Sequence, residues 1–303
     1  MTVSGNKKLF EKSIERLLLS AAAMATVSVA LITVFVFHSG LPAMSRFGFL
    51  KFLAGQDWSP TNGSYGILPL IMGTLSVTFL ALAIAVPTGV CCAVFLSEII
   101  GKKKAAIFKF AVELLAGIPS VVYGFFGLII VVPFISSKVV PLWQRMNPDT
   151  QSTGLSILAG GFILAIMILP TIVSISENAV SSVPRDYREA SLALGAGKRE
   201  TIMYVLIPSA KSGILASIIL GMGRAIGETM AVMLLTGNTA LLPKSVFDPV
   251  ATLTGTIAME MGYADTGHRQ ALFAVGIVLF LIILILNLTA QGVSKKMGAV
   301  GKE

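Results

Sequence analysis

Charged residues are scarce in this sequence: they make up 13% of its 303 residues, whereas hydrophobic residues make up 55%. A typical soluble domain carries about a quarter of charged residues, and the mean hydropathy here is +0.86. This composition excludes a soluble globular protein and predicts an integral membrane protein. The net charge of +8 does not indicate nucleic-acid binding, because the basic residues stand at the ends of apolar runs rather than on one polar domain.

Residues that bind metals or form disulfides are nearly absent. The two cysteines, Cys91 and Cys92, are neighbours inside an apolar run, which is typical of small core residues rather than of a disulfide or a zinc site. The two histidines, His38 and His268, form no metal-ligand pattern with cysteine or carboxylate residues. No hydrolase elbow, zinc-protease helix or pair of catalytic carboxylates occurs. The sequence therefore predicts neither a metal site nor an enzyme.

Long apolar runs dominate the chain, and six of them are long enough to cross a bilayer. They lie at 17–37, 67–96, 105–134, 155–175, 214–235 and 271–289. Sixteen Lys and Arg residues fall on one side of this arrangement, six fall on the other, and Arg224 lies inside a run. The positive-inside rule thus predicts an all-α protein with six transmembrane helices and both termini in the cytoplasm.

The loop between the fourth and fifth runs is a polar, charged island. It predicts a short helix over 187–194, a break at Gly195-Ala196-Gly197, and a second helix over 198–205 before Pro208, because glycine readily adopts the left-handed geometry that ends a helix. Two short helices joined by a sharp turn suit the cleft of another protein. The alternative is an ordinary cytoplasmic helical hairpin.

This loop resembles the EAA loop of ABC-importer permeases. The resemblance rests on Glu189, Ala190, Ser191, on Gly195 six residues after Glu189, and on Pro208. Serine stands where the family usually has a second alanine. The resemblance implies that the loop is the coupling segment that docks in a groove of a cytoplasmic ATPase.

Two charged residues, Arg224 and Glu228, lie inside the fifth apolar run. Four residues apart, they would share one face of a continuous helix and could meet. An arginine at the bilayer centre costs about 2.5–3.5 kcal/mol on insertion scales, so it normally faces a cavity or a partner. The alternative is a self-neutralising pair that pins helices together. The spacing of Gly223 and Gly227 permits close helix approach and favours packing as readily as a pore.

The third run is interrupted at Gly117-Ile118-Pro119-Ser120. This break and Arg224 lie at a similar depth, about 18 Å from the cytoplasmic helix starts at 1.5 Å per residue. A proline-broken helix at the depth of a buried arginine is typical of a mid-membrane anion site. The predicted substrate pathway or gate comprises Pro119, Ser120, Arg224, Glu228 and Thr229. Taken alone, Pro119 favours a simple kink.

Four blocks resemble the permeases of phosphate ABC transporters: YGILPLIMGTL (65–75), ELLAGIPSVVYG (113–124), ILAIMILPTI (163–172) and RAIGETMAV (224–232). Trp58 and Pro60 are closer to the PstC type than to the PstA type. The resemblance implies a type I ABC importer permease fold. It places an ABC type-1 permease domain at 67–291, with the coupling loop at 177–211. An N-terminal segment with the first helix and an external loop (1–66) precedes it, and a cytoplasmic tail (292–303) follows.

The resemblance also implies the partners of the chain. They are a second, PstA-like permease, a PstB-like ATPase dimer that carries ATP and Mg²⁺, an extracytoplasmic PstS-like binding protein, phosphate and membrane lipid. This chain would bind no cofactor and would lie in the bacterial plasma (inner) membrane as a multi-pass protein. Two alternatives stay open: a permease for molybdate or tungstate, and a stand-alone secondary transporter or channel.

Overall fold

The computed structural model describes residues 3–148 and 151–299, and these are mostly helical. Residues 1–2, 149–150 and 300–303 belong to the predicted N-terminal segment, an external loop and the tail, and lie outside the described residues. In chain order the first elements are α1 (Val3–Phe47), α2 (Phe49–Ala54), β1 (Trp58–Ser59), β2 (Ser64–Tyr65), α3 (Leu68–Ile99), α4 (Lys102–Ala116), α5 (Ser120–Gln144) and α6 (Ile157–Ser181). The remaining elements are α7 (Arg185–Ala193), α8 (Lys198–Ser209), α9 (Lys211–Gly227), α10 (Met230–Leu235), α11 (Leu253–Glu260) and α12 (Thr266–Ala299).

The prediction of an all-α membrane protein is confirmed. Among the described residues, five helices are long and apolar enough to cross a membrane: α1, α3, α5, α6 and α12. The pair formed by α8 and α9, bent by 66°, is a sixth if it counts as one span. The only sheet in the described ranges is a small antiparallel hairpin that pairs Trp58 with Tyr65.

The predicted bounds of the third span, 105–134, are wrong. The first helix ends at Ala116, and a new helix starts at Ser120 and continues to Gln144, through residues predicted as loop. The break occurs because Pro119 adopts an extended conformation, with ψ 141°, and cannot donate a backbone hydrogen bond.

Three prolines that follow π-helical turns leave their helices continuous. Pro133, Pro141 and Pro208 each stand two residues after a π-helical turn, at Gly127–Val131, Ile135–Val139 and Ile202–Leu206 respectively. A π turn is wider than an α turn, so the proline ring fits where it would otherwise meet the carbonyl of the preceding turn.

The core of the bundle is formed by α3, α6 and α9, and α6 is the most buried span. Small residues allow the close approach of these helices. A Cβ on Gly89 of α3 would lie 2.7 Å from Ile172 Cγ2, and one on Gly221 of α9 would lie 3.1 Å from Ile172 Cγ1. A buried hydrogen bond of 2.8 Å joins Ser176 and Ser217 across α6 and α9. These helices therefore pack as one unit.

Helix α3 connects the two ends of the bundle. It starts beside the hairpin, and Glu98 near its other end contacts α7. The outer helices α1 and α12 are antiparallel. A Cβ on Gly40 of α1 would lie 2.7 Å from Ala274 N of α12, whereas Arg46 Nη1, further along α1, lies 4.0 Å from the position of a Cβ on Gly267, which comes earlier in α12. The described chain ends therefore lie at the same end as the α7–α8 loop. That this end is cytoplasmic stays a prediction.

Candidate functional site

The predicted fifth span, 214–235, is broken at the site. Helix α9 ends at Gly227, Glu228 is extended with φ −69° and ψ 132°, and α10 starts at Met230. The expectation that Arg224 and Glu228 share one helix face is therefore wrong, because the helix ends between them. No ion pair joins them among the residues that the structure describes.

Glu228 is half-buried and is held at the break by both its side chain and its backbone. The carboxylate Oε1 accepts a hydrogen bond from the Ala231 backbone N–H at 3.2 Å, in the first turn of α10. The Glu228 carbonyl accepts a hydrogen bond from Thr254 Oγ1 of α11 at 2.8 Å. Hydrogen bonds thus satisfy the backbone that leaves the helix, as a buried helix break requires.

A second threonine connects this region to α3. The Thr74 hydroxyl donates to the Leu70 carbonyl at 2.8 Å and accepts from the Leu253 backbone N–H at 2.9 Å. Thr74 and Thr254 were not among the predicted site residues. The available signal was that they are polar residues in otherwise apolar segments, and that signal is weak because threonine hydroxyls usually bond within their own helix.

Arg224 is exposed on the surface of the isolated chain. Within the described ranges it forms no hydrogen bond or ion pair, which disfavours the alternative of a self-neutralising pair. A Cβ on Gly223 or Gly227 would meet no atom within 4 Å, so these glycines are not used for helix packing inside this chain. The face of α9 that carries Gly223, Arg224 and Gly227 is therefore accessible to a partner subunit or to a solute in a pathway.

The second predicted break, at Pro119 and Ser120, lies between α4 and α5, and α5 is a neighbour of α10. Gly124 of α5 packs on α10, since a Cβ there would lie 3.2 Å from Ala231 Cα and 2.6 Å from Leu234 Cδ1, and Gly127 packs on Leu235. This register makes α5 and α10 parallel. Their first residues, Ser120 and Met230, therefore lie at the same end.

The structure thus brings the Pro119–Ser120 break towards the Glu228–Thr229 break. Pro119 is exposed, and Ser120 and Thr229 are half-buried. Tyr123 Oη donates to the Leu115 carbonyl at 2.8 Å and ties the end of α4 to the start of α5. The N-terminal ends of α5 and α10 lie at one level. The positive ends of their helix dipoles favour an anion.

The α7–α8 loop forms the predicted pair of short helices. Gly195 has a φ of +86°, its N–H donates to the Leu192 carbonyl at 3.0 Å, and the Ala196 N–H donates to the Ser191 carbonyl at 3.2 Å. This is the Schellman arrangement that ends a helix at a left-handed glycine. Glu200 Oε2 accepts from the Gly197 N–H at 2.7 Å and fixes the start of α8.

The predicted coupling residues divide into a buried and an exposed set. Ser191 is buried, and its hydroxyl lies 3.0 Å from the Thr201 hydroxyl of α8, which joins the two short helices. Glu189, Ala190, Gly195 and Pro208 are exposed. Beside them, three large side chains are also exposed: Tyr187, Leu194 and Tyr204. The loop is therefore internally fixed and presents an apolar outer surface.

Two ion pairs, not foreseen from the sequence, attach this region to the bundle. Arg188 Nη2 lies 2.6 Å from Glu98 Oε1 at the end of α3, and Arg188 Nη1 donates to the Val183 carbonyl at 2.6 Å. Lys109 Nζ of α4 lies 2.7 Å from Glu177 Oε2 of α6. The partners are 90 and 68 residues apart, so no local pattern could predict these contacts.

Comparison with known families settles the class of protein. The profile of the family described as "Binding-protein-dependent transport system inner membrane component" matches residues 85–299, which include the coupling loop and both charged residues of the break. This chain belongs to that family. The predicted resemblance is confirmed, and so is the assignment as a multi-pass inner-membrane component.

Individual relatives match this chain over almost its whole length. The probable ABC transporter permease protein YqgH of Bacillus subtilis is 40% identical over 283 residues, which are 90% of this chain and 88% of that protein. The phosphate transport system permease protein PstC of Mesorhizobium japonicum is 35% identical over 282 residues, which are 90% of this chain and 86% of that protein.

Solved structures confirm the type I ABC importer permease fold. A bacterial alginate ABC transporter, in complex with an alginate pentasaccharide-bound periplasmic protein, aligns over 94% of this chain and 97% of its own chain, with a TM-score of 0.63 and 19% identity. The MetNI methionine ABC transporter, in an inward-facing conformation, aligns over 80% of this chain with a TM-score of 0.57 and 18% identity. These likenesses concern the fold alone.

Proposed function

We propose that this chain is a permease subunit of an ATP-driven importer of inorganic phosphate and forms the membrane pathway together with a second permease. Relatives from several bacteria that are named phosphate transport system permease protein PstC support the substrate. The observation that carries the proposal is the exposed Arg224 close to a helix break, without an ion-pair partner in the described part of the chain.

The chemistry of Arg224 suits this substrate. A guanidinium group forms two parallel hydrogen bonds to phosphate oxygens, with more geometric control than a lysine. At about 4 Å and an effective dielectric constant near 20, a pair of unit charges gains about 4 kcal/mol before desolvation costs. An attraction of this size orders the anion in the pathway and still permits its release.

Glu228 would supply the selectivity. Its carboxylate is half-buried beside the break, and one of its oxygens accepts from the Ala231 N–H. Phosphate near neutral pH keeps a protonated oxygen that donates to a carboxylate, whereas sulfate has no such proton. The carboxylate therefore disfavours sulfate by charge repulsion without a compensating hydrogen bond.

The partners follow from the surfaces that this chain leaves open. The face of α9 that carries Gly223, Arg224 and Gly227 is proposed to meet the second, PstA-like permease, so that the pathway runs between the two subunits. A PstB-like ATPase dimer, which carries ATP and Mg²⁺, is proposed to bind the α7–α8 loop on the cytoplasmic side. The chain itself then hydrolyses nothing. A PstS-like binding protein would deliver phosphate to the hairpin end.

A transport competition assay tests the substrate and the role of Arg224. The assembled complex, reconstituted with its binding protein, takes up labelled phosphate in the presence of unlabelled phosphate, sulfate or molybdate. We expect competition by phosphate alone, loss of uptake in Arg224→Gln, and partial uptake in Arg224→Lys. Glu228→Gln should impair uptake or admit sulfate.

Three outcomes would contradict the proposal. Stronger competition by molybdate than by phosphate would assign the chain to another oxyanion. Normal uptake and normal selectivity in fully assembled Arg224→Gln and Glu228→Gln complexes would make both residues structural. Purification without any ATPase partner, with uptake retained, would instead support a stand-alone transporter.

A further inference from the structure

A cavity of about 550 Å³ lies between α2 and the β1–β2 hairpin, at the end of the bundle opposite to the α7–α8 loop. This volume lies in the range of small-molecule sites, about 300–1,000 Å³. Its polar lining includes the side chains of Arg46, Lys51, Asp57, Asn62, Ser64 and Tyr65. The cavity belongs neither to the helix break at Glu228 nor to the coupling loop.

The walls of the cavity are fixed by backbone hydrogen bonds. The end of α2 is attached to the start of α3, because the Ile67 N–H donates to the Phe52 carbonyl at 2.9 Å and the Leu68 N–H donates to the Gly55 carbonyl at 3.1 Å. The hairpin is closed on the Asp57 carbonyl, which accepts from Ser64 Oγ at 3.0 Å. The cavity is therefore preformed.

Three charged side chains line this cavity without neutralising one another. Arg46, Lys51 and Asp57 are exposed, and none of them forms an ion pair within the residues described. The guanidinium carbon of Arg46 lies 5.7 Å from the centre of the Phe47 ring. Two cations beside one carboxylate are complementary to a ligand that carries a phosphate group next to an ammonium group.

Helix α2 adds an apolar surface beside this charged cavity. Phe52 is buried, with 1% of its surface exposed, whereas Phe49 and Leu50 on the same short helix are 54% and 78% exposed. This helix follows directly on the end of α1, a predicted span. Exposed apolar residues next to cations at the end of a span are typical of the boundary between acyl chains and headgroups.

We propose that this cavity binds the phosphate group of a phospholipid headgroup. Arg46 and Lys51 bind the phosphodiester, Asp57 binds the ammonium of an ethanolamine head, and the acyl chains lie against Phe49 and Leu50. A free phosphate ion would share the two cations but would use neither Asp57 nor the apolar pair. The proposal goes beyond transport, because it concerns a site for lipid at the periphery of the permease.

The test measures lipid retained by the purified, assembled complex after mild delipidation, with native mass spectrometry. Complexes are first equilibrated with phosphatidylethanolamine or with phosphatidylglycerol. The double variant Arg46→Gln, Lys51→Gln should lose about tenfold or more in retained lipid of either kind, as expected for two lost charge-assisted contacts. Asp57→Asn should lose only the preference for phosphatidylethanolamine.

A matched control and a second ligand make the outcome decisive. Lys244 is another exposed cation in a predicted outer loop and does not line the cavity, so Lys244→Gln should retain lipid as the unmodified complex does. Equal retention in the double variant overturns the proposal. If labelled inorganic phosphate binds lipid-free complexes, and the double variant loses that binding but retains lipid, the site binds the solute and the lipid assignment is wrong.

Discussion

The turn at Gly195 offers the sharpest test of the coupling loop, because its effect can be separated from side-chain contacts. Its φ is +86°, and an added Cβ would meet no atom within 4 Å. A substitution here therefore acts through backbone conformation and not through a clash. Gly195 is exposed at the turn between the two short helices, away from the contacts of the loop with the bundle, so insertion of the spans should be unaffected.

The magnitude follows from the cost of the left-handed conformation. A residue with a Cβ pays about 1–2 kcal/mol to adopt it, asparagine pays less, and β-branched residues pay most. One to two kcal/mol corresponds to roughly a 5- to 30-fold change in an equilibrium. The affinity of the ATPase for the permease should therefore fall in the order Gly195, Gly195→Asn, Gly195→Ala, Gly195→Val.

The assay titrates the ATPase subunit onto the reconstituted permease pair and measures binding, ATP hydrolysis and phosphate uptake in the same preparation. Gly195→Asn is the matched control, since it adds a side chain at a smaller backbone cost. Wild-type affinity and uptake in a stably expressed Gly195→Val complex would refute the docking role. Equal losses in all three variants would refute the backbone argument and indicate a side-chain clash with the partner.

Three further predictions concern the rest of the chain. Arg188→Ala should reduce uptake more than ATPase binding, because loss of the contact with Glu98 costs about 1.5–3 kcal/mol. An equal ratio of uptake to ATPase binding in variant and wild type would contradict this. A cysteine at Ser245 should react with an impermeant reagent from outside and one at Lys103 should not, and the reverse pattern would overturn the predicted orientation. Thr254→Val should lower uptake and Thr254→Ser should restore it, as uptake and thermal unfolding measurements would show; equal loss in both would exclude the hydroxyl as the cause.

Much of the fold was predictable because hydropathy in a membrane protein is nearly continuous along each span. The turn at Gly195 was also predictable, since glycine at the end of a helical pattern is a strong local signal. The third span was misplaced because its bounds were taken from the apolar run alone. The break at Pro119 lies inside that run, and the helix that starts at Ser120 continues beyond the run to Gln144.

The site was predictable only in part. The charged residues Arg224 and Glu228 stand out in an apolar run, but the helix break between them does not. That break is held by the hydrogen bond from Thr254 to the Glu228 carbonyl, between residues 26 positions apart. A tertiary contact here overrides the local helical pattern. Sequence spacing therefore gave the wrong geometry for the pair, and the role of the two residues stays a prediction.

One helix contacts both the predicted site and the predicted coupling loop, and we expect it to couple them. Near one end of α3, the Thr74 hydroxyl accepts from Leu253 beside the break, and near the other end Glu98 binds Arg188 of the coupling loop. The 24 residues between them correspond to about 36 Å of helix at 1.5 Å per residue. Gly89 packs tightly on Ile172, so α3 and α6 are expected to move together. A displacement of the loop by its ATPase is therefore expected to reach the break as a motion of a rigid unit, and the Arg188→Ala variant removes the contact through which that motion enters.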